Sequence, residues 1–270
     1  MVKHCTTSII SDILHRRGFL RTPCLTRPAQ EYDIPDPALT ELGQQQCRAL
    51  EQHLRQHLPL ADKVERIITS PMRRTLETTT LGLDWLIERG VPVEANALWQ
   101  EMLRLTLYSH RKLGQALRHR QPLPDMKPTF PHFDYSTVDP LWPSKTGPYA
   151  FTRTATIARG QSCLRDLHSR KEKVIAVVSH SGFLRCAISL CKYANADYRI
   201  FEFKDTEQGD DLELVEWKET ERNGGGLGES EKGRAAIEDS DFPERRAEEV
   251  EQKLGGKTDG EAAKEVPEKK

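Results

Sequence analysis

Val174-Ile175-Ala176-Val177-Val178-Ser179-His180-Ser181-Gly182-Phe183 is the stretch on which the fold turns. The run from Val174 to Val178 is apolar without interruption and so has no polar face. Such a strand is covered on both sides, as in the middle of a parallel sheet. Gly182 to Tyr193 then carries Leu184, Ile188 and Cys191 on one face, which predicts a helix directly after the strand. His180 falls at the lip between the two. Helix N-termini present unpaired N–H groups and the positive end of the peptide dipole, both suited to an anion. A histidine there can donate to a phosphate oxygen. The plainer alternative is a structural histidine at a strand end; the flanking serines and Gly182 favour the functional one. Ser181 is not a nucleophile elbow, because the G-x-S-x-G spacing is absent.

Moving outward, the same strand-then-helix grammar recurs. Val64 to Thr69 reads as a buried strand, and Ser70-Pro71 as the cap and first position of a helix that Gly90 stops. Arg74 then lies in the first turn, where a guanidinium beside free backbone N–H groups makes a bidentate phosphate clamp. The competing reading of Arg73-Arg74 is a pair of surface arginines. Val91 to Val93 is a further short strand, followed by Leu98-Trp99-Gln100-Glu101-Met102. Glu101 has the chemistry of a general acid for a leaving alkoxide. Taken alone, it could equally be a solvated glutamate.

Thr40 is a good N-cap, Cys47, Leu50, Leu54 and Leu58 recur at helical spacing, and Pro59 ends that helix. Met102 to His119 reads as a basic helix, and residues 121–150 as a long loop or lid. A helix from about Thr154 to Arg170 and strands at Tyr198–Phe203 and Leu212–Trp217 complete the pattern. This alternation predicts an α/β three-layer sandwich with a mostly parallel central sheet. Its site would lie outside the carboxyl ends of the strands.

The flanks read differently. Residues 1–30 are an irregular N-terminal segment, with a short amphipathic helix at Ser8–Leu14 broken by Arg16, Arg17 and Gly18. If they supply no first strand, the sheet lacks a central member and exposes an edge. The domain proper spans 31–219. Residues 220–270, opened by Gly224-Gly225-Gly226 and rich in charge, read as a disordered tail with a transient helix near Pro243–Leu254.

Composition narrows the classes. The 270 residues carry a formal net charge of −1, which argues against a nucleic-acid binder working by bulk charge. No apolar run reaches the roughly 18 residues of a membrane span. A cytoplasmic or nuclear address is the default; the Arg-, Ser- and Thr-rich start leaves a mitochondrial presequence open. The six cysteines form no C-x-x-C pair and no zinc spacing, so reduced, buried thiols are expected and no metal.

Four segments, in order, resemble the histidine phosphatase superfamily, the phosphoglycerate-mutase-like group: Leu39-Thr40-Glu41-Leu42-Gly43, Ser70-Pro71-Met72-Arg73-Arg74-Thr75, Gln100-Glu101, and Ser179-His180-Ser181-Gly182. The resemblance covers about residues 25–205, and Val138 to Tyr149 looks like the insert of a fungal-type branch. It implies a two-step phosphoryl transfer on a small phosphorylated substrate. A histidine attacks phosphorus, a phosphohistidine forms as the alkoxide leaves, and water or a second substrate removes the phosphoryl group, without metal or other cofactor. By position, Arg74 would be the clamp, His180 the second histidine and Glu101 the acid.

Two stretches depart from that family: Met102 to His119 reads as a basic helix where the resemblance implies a polar, pocket-shaping loop, and the nucleophile motif is altered. The family's nucleophile sits in Arg-His-Gly or Arg-His-Ala at the end of the first strand. The nearest match here is Leu25-Thr26-Arg27-Pro28-Ala29-Gln30, with Arg27 as a further phosphate ligand and Pro28 where the histidine should be. Proline has no nucleophilic atom. His4, in Lys3-His4-Cys5, is the other candidate nucleophile, and His15, followed rather than preceded by arginine, is a poorer one. The reading is therefore a phosphatase-like protein that is active or inactive. The alternative is a non-catalytic phosphate-binding pseudophosphatase, and a phosphoglycerate mutase is a third possibility.

Overall fold

The computed structural model describes residues 36–102, 126–142, 146–205, 211–238 and 241–242, together with the backbone of residues 6–11. In chain order its elements are β1 (Thr6–Ser11), α1 (Glu41–His57), β2 (Arg66–Thr69), α2 (Arg73–Gly82), α3 (Asp84–Glu88), β3 (Val93–Ala95), β4 (Phe133–Asp134), α4 (Arg153–Ser169), β5 (Val174–Ser179), β6 (Tyr198–Phe203), β7 (Leu214–Glu216) and α5 (Lys218–Asn223). The described strands form one sheet in the order β4-β3-β2-β5-β1-β6-β7. The first five are parallel; β6 runs antiparallel to β1, and β7 antiparallel to β6.

The strand β5 lies at the centre, buried along its whole length. Its side chains alternate between two cores. Val174, Ala176 and Val178 join Ile67, Leu50, Leu54 and Leu76 beneath α1 and α2. Ile175 and Val177 join Ile68, Cys163, Leu164 and Leu167 beneath α4. Burying each such leucine or isoleucine contributes about 1.5–3 kcal/mol. Two helical layers on a mostly parallel sheet are the three-layer α/β sandwich expected from the alternation.

The N-terminal expectation is corrected. The segment read as irregular contributes β1, which pairs with β5 from Thr6↔Val174 to Ser11↔Ser179 and with β6 on its other edge. The helix expected at Ser8–Leu14 is a strand over Ser8–Ser11. Four of the five residues of Thr-Thr-Ser-Ile-Ile are β-branched, and an open ladder on each side outweighs a weak helical spacing.

The C-terminal boundary also moves. Residues 220–238, read as tail, lie against the sheet. The fully buried Asp197 carboxylate accepts from the N–H groups of Tyr198, Leu227 and Ser230 and from the Ser230 hydroxyl. Gly225 and Gly226 pass so close to Asp197 and Tyr198 that a Cβ on either would sit 2.0 Å from a side-chain atom. A glycine triplet that looked like a linker is thus a close backbone approach. The transient helix expected at Pro243–Leu254 and the basic helix expected at Met102–His119 lie outside the described residues, except for Met102 itself.

Two helices are shorter than their periodicity implies. The helix expected up to Arg89 divides at Leu83 into α2 and α3, and Gly90 follows at φ +86°. After β5, Ser181–Phe183 forms one turn, Leu184–Ser189 is π-helical, and Leu190 is left-handed at φ 57°. Here α4 presses close, since a Cβ on Gly160 would lie 2.1 Å from the Ala187 carbonyl. Widened turns of this kind often mark functional sites.

Candidate functional site

The carboxyl ends of β2 and β5 are neighbours, with Thr69 paired to Val178. Each strand therefore delivers its following residues to the same place. Ser70 and Arg74 arrive from β2 and the first turn of α2; His180 arrives from β5. Arg74 Nη2 lies 2.9 Å from His180 Nδ1, and His180 Nε2 lies 2.9 Å from Ser70 Oγ. Arginine can only donate, so Nδ1 accepts, and a neutral His180 carries its proton on Nε2, toward Ser70. Arg74, His180 and Ser70 are all buried.

The first turn of α2 is braced by hydroxyls. Thr75 Oγ1 donates to the Ser70 and Met72 carbonyls, and Thr79 Oγ1 to Thr69 Oγ1. Ser70 Oγ also accepts from the Met72 N–H at 3.4 Å. Ser70-Pro71 was expected to open the helix; instead Met72 is the N-cap residue and Arg73 begins it. The N–H groups expected to be free for an anion are partly committed. Asp36 accepts the Arg73 N–H with both oxygens, at 3.1 and 3.0 Å, and stands 3.9 Å from Arg74 Nη1.

Glu101 follows the short 3-10 turn Ala97–Trp99, which the Ser179 hydroxyl ties to β5 by donating to the Trp99 carbonyl at 2.8 Å. Its Oε1 accepts the Met102 N–H at 2.8 Å and lies 2.9 Å from where a Cβ on Gly182 would be. The structure thus brings Glu101 against Gly182, two residues after His180. Arg27, Pro28, His4 and His15 lie outside the described residues. The strand that follows His4 begins at Thr6, opposite Val174, at the end of β5 away from His180.

Two residues near this site were not singled out from sequence. Asp36 sits in Pro35-Asp36-Pro37, where its one signal was an acidic residue at a turn ahead of the Thr40 cap. Arg159, on α4, stacks its guanidinium 4.1 Å from the Phe183 ring centroid and is 4% exposed, with no hydrogen-bond partner for Nε or Nη1 among the described residues. Burial draws this guanidinium down to about 10, against the opposing pull of Cys163, Glu101 and Tyr149. Its helical spacing gave no hint, because arginine on an amphipathic helix is ordinarily exposed. Cys47, Cys163, Cys186 and Cys191 are buried and form no disulfide among the described residues.

A mostly parallel α/β sheet with an arginine and a histidine joined across the ends of two central strands puts the candidate site outside the carboxyl ends of the strands, as in other layered α/β folds. The family model for the histidine phosphatase superfamily (branch 1) matches residues 27–208, and the chain belongs to that superfamily. A phosphoglycerate mutase-like protein of Arabidopsis thaliana is 33% identical over 182 residues, covering 58% of this chain and 64% of that protein. A protein of Schizosaccharomyces pombe described as a probable phosphatase is 31% identical over 156 residues, covering 56% of this chain and 65% of its own length. In both cases the match spans less than two thirds of the relative. Among solved structures, the ecdysone phosphate phosphatase of Bombix mori in complex with tungstate aligns with a TM-score of 0.48 at 13% identity, covering 78% of this chain and 92% of that one. None of the described helices is long and apolar enough to cross a membrane.

Proposed function

We propose that this protein is a phosphomonoester phosphatase-like protein whose pocket, built on Arg74 and His180, binds the phosphoryl group of a small phosphorylated substrate. The observation that carries the proposal is the 2.9 Å contact between Arg74 and His180 at the joined ends of β2 and β5. A guanidinium and an imidazole side by side can neutralise the equatorial oxygens of a phosphoryl group in transfer. Glu101, against the same turn, is the candidate acid for the leaving alkoxide. Arg27 is a further candidate phosphate ligand and His4 a candidate nucleophile for a phosphohistidine route. The fungal-type branch, and Leu25–Gln30 as a nucleophile motif altered at Pro28, belong to the same proposal. So does a cytoplasmic location.

The second reading is an anion-binding pseudophosphatase. It draws on Pro28, which stands where the family places its nucleophilic histidine and has no nucleophilic atom, while the ring nitrogens of His180 are engaged at 2.9 Å by Arg74 Nη2 and Ser70 Oγ. The test is hydrolysis of p-nitrophenyl phosphate with EDTA present, by the full chain and by His180→Ala. Turnover lost in the variant supports a metal-independent phosphatase. Absence of turnover, with phosphate still raising the melting temperature, supports the pseudophosphatase. Neither turnover nor phosphate stabilisation overturns both.

A further inference from the structure

We propose that Asp36 is a built-in competing anion for the Arg74 clamp, a residue that sets how tightly the pocket holds a tetrahedral oxyanion. The inference rests on the oxyanion reading above and deepens it. The Asp36 side chain is fully buried at 0% exposure, in a backbone conformation at φ 43° that aspartate tolerates better than most residues. It takes the Arg73 N–H with both oxygens and faces Arg74 Nη1 at 3.9 Å. It therefore occupies the positive end of α2 and one edge of the guanidinium together. Arg74 turns its other amino group, Nη2, to His180.

The two sources of positive potential expected to attract phosphate are thus already shared with a fixed carboxylate. A ligand oxyanion on Arg74 would lie within a few ångströms of Asp36 and be repelled by it. Like charges at that separation, in surroundings more polarisable than bare protein but drier than water, weaken binding by roughly tenfold or more. In a protein that turns over, the same charge would hasten release of inorganic phosphate. An ordinary helix-capping role makes no such prediction, since loss of a cap can only loosen the site.

The test is isothermal titration of inorganic phosphate and of tungstate into the full chain and into Asp36→Asn. Asparagine keeps an oxygen to accept the Arg73 N–H and removes the charge. The expected result is roughly tenfold tighter binding of both oxyanions by Asp36→Asn than by the parent protein. Unchanged or weaker binding by folded Asp36→Asn overturns the proposal. Should Asp36→Asn not fold, Asp36→Ser, which also retains an acceptor oxygen, carries the same expectation. The two readings separate through Arg74→Ala. If that variant abolishes binding while Asp36→Asn leaves it unchanged, only the Asp36 proposal fails. If neither the parent nor Asp36→Asn binds either oxyanion, the pocket reading fails with it.

Discussion

Arg74 and His180, separated by 106 positions in the chain, meet at 2.9 Å because Thr69 and Val178 are register partners in adjacent parallel strands. Parallel pairing carries each strand's next residues to one edge of the sheet, so the contact is a property of register. The guanidinium fork is also required, since it reaches Asp36 with Nη1 and His180 with Nη2.

Arg74→Lys should therefore weaken phosphate binding by roughly tenfold to a hundredfold, because an ammonium is a point charge that cannot hold two partners in one plane. The variant should also lose about 1–3 kcal/mol of stability from buried partners left unsatisfied. Titration calorimetry and thermal melts read the two effects separately. Full retention of affinity would show that Arg74 is not the clamp.

Gly182→Ala places a Cβ 2.9 Å from Glu101 Oε1. Because the obstacle is the end of a flexible side chain, the fold should tolerate the change to within about 1 kcal/mol. Glu101 should move aside. If it is the acid, kcat falls while the affinity for phosphate holds. A fall in melting temperature without a change in kcat would assign this contact to packing alone.

Arg159→Met should stabilise the protein at neutral pH by about 1–2 kcal/mol. An arginine stays charged at that pH, and this one is buried with no hydrogen-bond partner for Nε or Nη1 among the described residues. Its compensation is the Phe183 ring at 4.1 Å. A lowered melting temperature in Arg159→Met would mean that this ring contact outweighs the cost of burial.

Ending the chain at Glu219 should destabilise the domain by about 3–5 kcal/mol, since a buried carboxylate loses its donors. Asp197 would lose the Leu227 and Ser230 N–H groups and the Ser230 hydroxyl. Urea melts of the shortened and full chains measure the difference. Equal midpoints would return residues 220–238 to the status of an appendage.

Stability should fall as pH rises above about 9. Burial pushes the Cys191 thiol from its ordinary 9.0 up to about 11, and the neighbouring Glu216 adds to the shift. Burial likewise lifts Tyr135 and Tyr198 from 10.0 to about 12. A folded-state value above the unfolded one contributes stability below the unfolded pKa and loses it as pH passes through the folded pKa. The decline should therefore start near pH 9 with Cys191 and steepen beyond pH 10, and Cys191→Ala should remove its first part. A flat melting temperature from pH 9 to 11 would contradict this assignment.

Much of the fold is legible in local patterns. The apolar run Val174–Val178 could only be a doubly covered strand, and Thr40 with Cys47, Leu50 and Leu54 could only be a capped, one-faced helix. These follow from the chain's own periodicity, which needs no partner to be read. The positions of Arg74, Glu101 and His180 after predicted strands are legible for the same reason. Three features were decided by tertiary structure alone. Thr6–Ser11 is a strand because ladders on β5 and β6 receive it, although the spacing over Ser8–Leu14 suggests a helix. Gly224-Gly225-Gly226 is a close approach because Asp197 and Tyr198, distant in sequence, leave no room for a Cβ on Gly225 or Gly226. Asp36 faces Arg74 because the turn before α1 folds back on the first turn of α2, as the Arg73 N–H bonds show. Propensity and periodicity are properties of neighbours in the chain, whereas pairing register, steric exclusion and buried charge exist only between residues the fold brings together.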